Sequence, residues 1–215
     1  MIKAVLFDLD GTLADTALDL GYALNEQRRL HGLPPLPHEQ IRPYASHGTI
    51  GLLEAGFGLA PEDESFAAMR EEYLKLYTAN LCRLTHLFEG MAQTLAQLEQ
   101  RGMAWGVVTN KPARFTDPLM AALGLSERAA SIISGDTCAH PKPHPEPLLC
   151  ASREIGLEPQ QCAYVGDAQR DMEAAIAAGM RPIVALYGYL GANDRPQEWA
   201  AHGMIESPLE LLNLL

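Results

Sequence analysis

The amino-acid sequence predicts an α/β protein in which a doubly wound parallel sheet carries an all-helical subdomain inserted after its first strand. Three features of the 215 residues favour this fold. Short apolar runs alternate with stretches of helical periodicity, the first run ends abruptly in acidic residues and glycine, and residues 15–88 show helical spacing without a convincing strand. Such alternation is typical of helices that cover both faces of a parallel sheet. We therefore expect a core of residues 1–14 and 89–215 and a helical subdomain of residues 15–88.

Five apolar runs predict the strands of the core, because strands covered on both faces are continuously apolar. They span residues 2–7, 104–109, 131–134, 162–165 and 182–186. Four intervening segments have apolar residues three and four positions apart, which indicates helices. These segments span residues 90–100, 114–123, 146–155 and 171–178. The first and the last of them stop just before Gly102 and Gly179, and glycine is a common residue at helix ends.

The inserted subdomain is predicted to contain four helices. Their periodic segments span residues 19–30, 39–45, 50–55 and 65–79. Clusters of proline and glycine separate the segments, as expected for turns between helices. A structureless stretch of this length would be unusual within a compact protein, so helices are the better interpretation.

Composition narrows the classes of function. The chain is 47% hydrophobic and 20% charged, which is ordinary for a globular protein, and its net charge of −11 with a pI near 5.0 disfavours nucleic-acid partners. No apolar run approaches the roughly 18 residues of a membrane span. The cysteines are scattered without a CxxC pair, and the start reaches Asp8 too soon for a signal peptide. We expect a cytoplasmic protein, a monomer or homodimer, whose partner is a small molecule.

The first strand leads into Asp8-Leu9-Asp10-Gly11-Thr12, at the edge where open α/β sheets bind their ligands. Asp8 and Asp10 are two positions apart on an extended chain and project to the same side. Two carboxylates so close repel each other unless a cation joins them or one stays protonated. Gly11 allows a close approach of the backbone to a ligand. The pattern favours a functional site over a simple helix-capping loop.

Further polar residues follow three later strands. Asp167 ends an apolar run and Asp171 lies one helical turn further on, so both carboxylates face the same sheet edge, although either residue also suits a helix start. Thr109 and Asn110 close the second core strand, where a hydroxyl donor reaches a ligand oxygen but an ordinary turn is an equal alternative. Lys142 lies among alternating prolines, which hold its loop extended and stiff. In so rigid a loop, Lys142 is either a positive charge held in a fixed position or an ordinary solvated lysine.

The same loop contains His140 and His144, whose spacing of four invites a zinc interpretation. The intervening prolines exclude a helix, and no cysteine is well placed nearby, so the sequence disfavours zinc.

The motifs occur in the order Asp-x-Asp-Gly-Thr, strand-end Thr, Lys and Gly-Asp-x-x-x-Asp. In this order the sequence resembles the haloacid dehalogenase superfamily, and its phosphatase branch in particular. The resemblance covers essentially the whole chain, including the helical insertion, which looks like that family's cap on a Rossmann-like core. One position differs, because Ala168 stands where the family often has a small hydroxyl residue. The loss of that hydroxyl puts one outer hydrogen bond in doubt.

The resemblance implies a magnesium-dependent phosphoric monoester hydrolase. Asp8 would be the nucleophile that forms an aspartyl-phosphate, and Asp10 the general acid and base. Mg²⁺ would be held by Asp8, the backbone carbonyl of Asp10, and Asp167.

By the same resemblance, Thr109, the Asn110 amide and Lys142 would surround the transferring phosphoryl group. Asp171 would orient Lys142 or a water molecule on the metal.

The resemblance also bears on the substrate, a small phosphorylated metabolite. Residues 107–112 and the Lys142 loop look like phosphoglycolate phosphatases. Residues 88–91, 105–115 and 187–189 look like a bacterial subgroup that acts on N-acetylmuramic acid 6-phosphate in peptidoglycan recycling. Specificity is expected in the cap, where Ser46, His47 and Gly48 either face the leaving group or form an interhelical turn. Three nearby cations have no assigned role: Lys111, Arg114 and Arg170.

Alternatives remain. A hexose phosphate mutase of the same superfamily keeps every catalytic residue and differs in its cap. A receiver-like signalling domain also combines a phospho-acceptor Asp with acidic residues, Thr and Lys, but it lacks the helical insertion and places its acceptor on a later strand. A dehalogenase needs neither Asp10 nor a metal, which makes it the weaker interpretation.

Overall fold

The computed structural model describes all residues, 1–215, and divides the chain into two compact units. The core unit comprises residues 1–14 and 87–215, and the inserted unit comprises residues 15–86. The inserted unit therefore ends slightly earlier than the insertion expected from the sequence. Each of the two connections forms a two-residue strand, β2 (Ala14–Asp15) and β3 (His86–Leu87), and these strands pair with each other. None of the helices combines the length and the apolar character needed to cross a membrane.

A six-stranded sheet forms the centre of the core unit, in the order β5-β4-β1-β6-β7-β8, and every pair in it is parallel. Its strands are β1 (Ala4–Phe7), β4 (Ala104–Val108), β5 (Ile132–Ile133), β6 (Cys162–Gly166), β7 (Arg181–Ala185) and β8 (Gly203–Ile205). The predicted α/β fold with a parallel sheet is confirmed. The last strand was not expected, because three residues give too short an apolar pattern; it exists by pairing with β7.

The innermost strands are fully buried, which explains their continuous apolar sequences. All four residues of β1 and all five of β6 are buried. Ala4 in β1 lies opposite Ala104 on one side and Cys162 on the other. This register brings the carboxyl ends of β1, β4 and β6 to the same level of the sheet edge.

Four helices connect the strands of the core unit: α5 (Met91–Gln100), α6 (Ala113–Ala122), α7 (Glu146–Ile155) and α8 (Gln169–Ala178). They agree with the predicted helices within two residues at each end. Gly102, just beyond α5, and Gly179, at the end of α8, have positive φ angles of 68° and 74°, which glycine adopts without strain.

The inserted unit is helical, as predicted. Its helices are α1 (Ala17–Leu30), α2 (His38–Ile41), α3 (Gly48–Phe57) and α4 (Phe66–Thr78). The segment expected as one helix at 39–45 is divided, because a 3₁₀ turn containing Pro43 begins at Arg42. Within this unit the buried Asp19 carboxylate accepts hydrogen bonds from the amides of Arg83, Leu84 and Thr85, which fixes the returning chain.

Candidate active site

Polar residues gather where β1, β4 and β6 end. Asp8, Thr109 and Asp167 each follow one of these strands, and all three are buried. The Asp8 amide donates to the carbonyl of Val165 at 2.9 Å, which continues the pairing of β1 with β6 beyond the strands. The chain leaves β1 for β4 and β5 on one side and returns to β6 on the other. This is the switch point at which open sheets of parallel strands bind ligands.

The Asp8 carboxylate has one oxygen held by the protein. Oδ1 accepts a hydrogen bond from the Leu9 amide at 2.8 Å and lies 3.0 Å from Lys142 Nζ. Both of these contacts are to Oδ1. The side chain is only 5% exposed. A carboxylate fixed through one oxygen keeps the other in a defined direction, as a nucleophile requires.

Asp167 is fixed through both of its oxygens. The Thr12 hydroxyl donates to Oδ1 at 3.2 Å, and the Tyr189 amide donates to Oδ2 at 2.8 Å. Gly11 and Gly188 lie against this carboxylate so closely that a β-carbon on either would collide with it. Gly11 also has a φ of +81°, which glycine adopts readily.

Lys142 is the central cation of the site, and its side chain is fully buried. Its ammonium lies 3.0 Å from Asp8 Oδ1 and 2.7 Å from Asp171 Oδ1. It also donates to the Tyr164 hydroxyl at 2.7 Å and to the Val108 carbonyl at 3.1 Å. A buried ammonium needs acceptors for its three N–H groups, and these partners provide them. The structure therefore places Lys142 as a fixed charge rather than as a solvated lysine.

Asp171 is completely buried and bridges Lys142 to the start of α8. Its Oδ1 contacts Lys142, while its Oδ2 accepts a hydrogen bond from the Ala168 amide at 3.0 Å. Burial raises the pKa of the Asp171 carboxyl above its usual value, and the Lys142 ammonium partly offsets this effect. Burial also raises the pKa of the Tyr164 phenol, with Asp171 adding to the shift, so this hydroxyl stays protonated.

Two residues after β4 make contacts that link separate segments. The Asn110 side chain donates to the carbonyl of Lys142 and accepts from its amide, each at 2.9 Å, which holds the lysine loop beside β4. Lys111 extends to the first loop, where its ammonium lies 2.9 Å from Asp10 Oδ1 and 3.2 Å from Oδ2. Its amide donates to the Thr109 hydroxyl at 3.1 Å.

The three cations without an assigned role differ in position. Lys111 pairs with Asp10, as described above. Arg114 stacks over the neighbouring Phe115 ring with 4.7 Å between guanidinium carbon and ring centroid. Burial is the largest single effect on Arg170 and lowers the pKa of its guanidinium, but the negative charges of Asp171, Asp8 and Asp167 together outweigh it, so the pKa is raised.

The predicted specificity residues lie in the inserted unit. Ser46 and His47 belong to the 3₁₀ turn, and Gly48 begins α3 with a φ of 60°. They lie where the 3₁₀ turn meets α3.

The acidic residues of the site fit a divalent, oxygen-preferring cation. Asp8, Asp167 and Asp171 each offer a carboxylate oxygen, and these atoms lie within 4.8 Å of one another. Mg²⁺ is bound by carboxylate and carbonyl oxygens together with water. Asp171 Oδ1 is paired with a cation, the Lys142 ammonium, at 2.7 Å, whereas Asp167 accepts hydrogen bonds from a neutral hydroxyl and a backbone amide, so Asp167 is the better metal ligand of the two.

Some members of this site were not recognised in the sequence. Tyr164 lies within a continuously apolar strand, a pattern that indicates only a buried core position. The Tyr189 amide belongs to the loop after β7. Nearly every residue type has a backbone N–H, so the sequence does not indicate that this one is a donor in the site. The glycine between two tyrosines, Gly188, was the available clue, because a glycine there permits close approach to another segment.

Comparisons with known proteins relate the whole chain to one family of enzymes. Residues 5–185 match the model of the haloacid dehalogenase-like hydrolase family. The chain is 38% identical over 214 residues to an N-acetylmuramic acid 6-phosphate phosphatase of Pseudomonas aeruginosa, covering all of this chain (100%) and 95% of the relative. It is 43% identical over 209 residues to a phosphoglycolate phosphatase of Xanthomonas campestris pv. campestris, covering 97% and 94% of the two chains. A crystal structure described as a predicted phosphoglycolate phosphatase from Haemophilus somnus superposes with a TM-score of 0.86 at 26% identity, over 99% of this chain and 97% of the other.

Proposed function

The chain belongs to the haloacid dehalogenase-like hydrolase family, and on that premise we propose that it is a magnesium-dependent phosphomonoesterase that acts through a phosphorylated Asp8. Its relatives named above are phosphatases for small phosphorylated metabolites. The observation that carries the proposal is the asymmetric fixation of Asp8. Leu9 and Lys142 both bind Oδ1, which leaves Oδ2 to attack phosphorus.

Asp10 is the general acid and base of the proposed reaction. It protonates the leaving alkoxide in the first step and takes a proton from the hydrolytic water in the second. Its contact with Lys111 orients the carboxylate, because the ammonium binds both oxygens of a side chain that is only 17% exposed. Lys111 is therefore a positioning residue in this mechanism.

Lys142 stabilises the charge that develops on the phosphoryl oxygens, together with the Thr109 hydroxyl and the Asn110 amide. Its fixed position supports this role, because little reorganisation is needed at the moment of reaction. Asp171 and Tyr164 hold the ammonium through contacts of 2.7 Å each.

Magnesium would be held by Asp8, Asp167 and the backbone carbonyl of Asp10. When bound, it neutralises charge so that an anionic carboxylate can approach an anionic phosphate. The chain's own contribution is to hold Asp167 in place, through Thr12 and Tyr189, before the substrate arrives.

The substrate is either N-acetylmuramic acid 6-phosphate or 2-phosphoglycolate in this proposal. Relatives with each name are similar to this chain at comparable identity, 38% and 43%. The residues after β7, Tyr187-Gly188-Tyr189, look like the subgroup that acts on the amino sugar and favour that substrate. Ser46, His47 and Gly48 are the proposed contacts to the leaving group.

The test is kcat/KM with Mg²⁺ for both phosphate esters, with Asp8→Asn as the blank. A preference of about 100-fold, or ~2.7 kcal/mol in transition-state binding, would assign the substrate. Release of inorganic phosphate identifies a phosphatase, whereas an isomerised sugar phosphate without release would identify a mutase. Equal activity of Asp8→Asn and the unmodified protein would refute the proposed nucleophile.

A further inference from the structure

A second cluster of metal-ligating side chains lies on the surface of the core unit, in the loop before α7. His140, His144 and Glu146 each offer a ligand atom, and these atoms lie within 4.8 Å of one another. The proposed reaction uses none of the three. Both histidines are exposed, and the Glu146 side chain is 33% exposed.

The loop directs its side chains in two opposite directions. Lys142 lies between the two histidines in the sequence, yet its side chain is fully buried and bound in the active site. The backbone of Lys142 is fixed in addition by two hydrogen bonds with the Asn110 side chain. Because the intervening lysine is anchored inward, His140 and His144 are left on the outer side of a loop that is held in place.

Prolines at alternate positions stiffen this arrangement. Pro141, Pro143, Pro145 and Pro147 separate the residues of the cluster from one another and from Lys142. A proline fixes its own φ angle, so the loop has few conformations to lose when a ligand binds. A helix is therefore not required to bring the two imidazoles together, although the sequence spacing alone disfavoured a metal for lack of one.

The contacts within the cluster show that the donor atoms already converge. His140 Nδ1 lies 2.9 Å from Glu146 Oε2, and the two imidazole ring centroids are 4.5 Å apart. The Glu146 amide donates to His144 Nδ1 at 3.2 Å. Ligands of a tetrahedral zinc ion are roughly 3.3 Å apart, given metal–nitrogen and metal–oxygen distances near 2.0–2.1 Å. The donor atoms of the cluster, which lie within 4.8 Å of one another, are thus already near that spacing.

We propose that His140, His144 and Glu146 form a second metal site, separate from the active site, that binds a divalent transition-metal cation of the zinc type. Imidazole nitrogen suits Zn²⁺, Ni²⁺ and Cu²⁺, whereas Mg²⁺ prefers the oxygen ligands of the active site. Two histidines and one carboxylate supply three ligands, and the exposed position leaves the fourth to water. Binding redirects the Nδ1 lone pair of His144 from the Glu146 amide to the cation, and that amide then donates to water. The proton shared between His140 Nδ1 and Glu146 Oε2 is released to solvent, because both residues become ligands.

The same contacts also serve to order the first turn of α7, which begins at Glu146. The experiment must therefore distinguish a metal site from a helix cap. In excess Mg²⁺, Zn²⁺ binding is measured by competition with a chromophoric chelator for the intact protein and for a His140→Gln, His144→Gln variant. The matched control is His86→Gln, His202→Gln, which removes two other exposed histidines. Melting temperatures in EDTA show whether all three proteins are folded.

We expect one Zn²⁺ per chain in the unmodified protein and in the control. Removal of one ligand, as in either single histidine variant or Glu146→Gln, should weaken Zn²⁺ binding by more than the roughly 10- to 100-fold loss typical of outer-sphere partners. The X-ray absorption spectrum of the zinc-loaded protein should show imidazole scattering and nitrogen or oxygen ligands near 2.0–2.1 Å.

Three results would overturn the proposal. Zinc binding that is unchanged in the double-histidine variant would place the metal elsewhere. A sulfur ligand near 2.3 Å would assign it to cysteines such as Cys138 and Cys150. Absence of zinc binding at concentrations that leave the protein folded would reduce the cluster to a helix cap.

Discussion

Tyr164 is the site residue whose role can be tested most directly. Its hydroxyl oxygen can be removed while the ring that packs in the core is kept. Tyr164→Phe keeps the ring that lies buried in the core and deletes only the oxygen. That oxygen donates to the Val108 carbonyl and accepts from Lys142, both at 2.7 Å. The substitution therefore acts on the position of Lys142.

The magnitude follows from the partners that remain. A buried hydrogen bond to a charged group contributes about 1.5–3 kcal/mol, so the free energy of unfolding should fall by that amount. Val108 is not left without a donor, because Lys142 also reaches its carbonyl at 3.1 Å. Asp8 and Asp171 still hold the ammonium. A displacement that costs ~1.4 kcal/mol in the transition state lowers kcat/KM roughly 10-fold.

Tyr73→Phe is the matched control. Tyr73 is a buried tyrosine of the inserted unit whose hydroxyl donates to the neutral Leu20 carbonyl at 3.1 Å. A neutral hydrogen bond contributes about 0.5–1.5 kcal/mol, so the control should lose less stability and no activity. Urea unfolding and steady-state kinetics give both quantities. If Tyr164→Phe retains full kcat/KM and loses no more stability than the control, Tyr164 does not position Lys142.

Three further predictions address other contacts. Lys111→Met keeps the aliphatic stem but removes the pairing with Asp10, and should lower kcat roughly 10-fold, about 1.4 kcal/mol, in single-turnover measurements. Gly188→Ala places a methyl group against Asp167 and should raise the Mg²⁺ concentration needed for half-maximal activity by at least about 10-fold, the loss typical when ligand support is disturbed. Burial raises the pKa of the Cys162 thiol from its ordinary 9.0 to about 11. The folded state then holds this proton more tightly than the unfolded state, so stability is full below pH 9 and falls as the pH rises towards 11.

Each of these predictions has a clear contradiction. An unchanged kcat in Lys111→Met would mean that Asp10 is oriented by other groups. If Gly188→Ala needs no more Mg²⁺ than the unmodified protein, the loop after β7 does not support Asp167 as a metal ligand. For Cys162, urea unfolding is measured against pH, and Cys162→Ala should remove a slope of at most about 1.4 kcal/mol per pH unit. The same alkaline slope in both proteins would assign the effect to other groups.

Elements with strong local signals could be predicted from the sequence. Helices α5 and α8 have periodic apolar residues and glycines at or just beyond their ends, and the central strands are continuously apolar. Strand β8 has only three residues and no apolar run of its own, and its existence depends on pairing with β7. Sequence patterns thus predict elements that form because of their own residues, and they miss elements that form only by pairing with another segment.

The same distinction holds for the candidate site. Asp8, Thr109 and Asp167 were expected because each follows a strand, and parallel strands end at one edge. The pairing of Lys111 with Asp10 joins residues 101 positions apart, and the contact of Tyr164 with Lys142 joins residues 22 apart. Such contacts depend on how side chains extend between segments of the folded chain, so no local sequence pattern predicts them.

Asp8 is the proposed site of phosphorylation, and capture of the phosphoryl group on this residue tests the proposal directly. Asp10→Asn is mixed with Mg²⁺ and an aryl phosphate, whose leaving group needs no protonation, so that the intermediate forms but hydrolyses slowly. Acid quenching, borohydride reduction and peptide mass spectrometry then identify the residue. We expect homoserine at position 8, dependent on Mg²⁺ and absent from the double variant Asp8→Asn, Asp10→Asn. Reduction at another carboxylate, or none while phosphate is released, would contradict it.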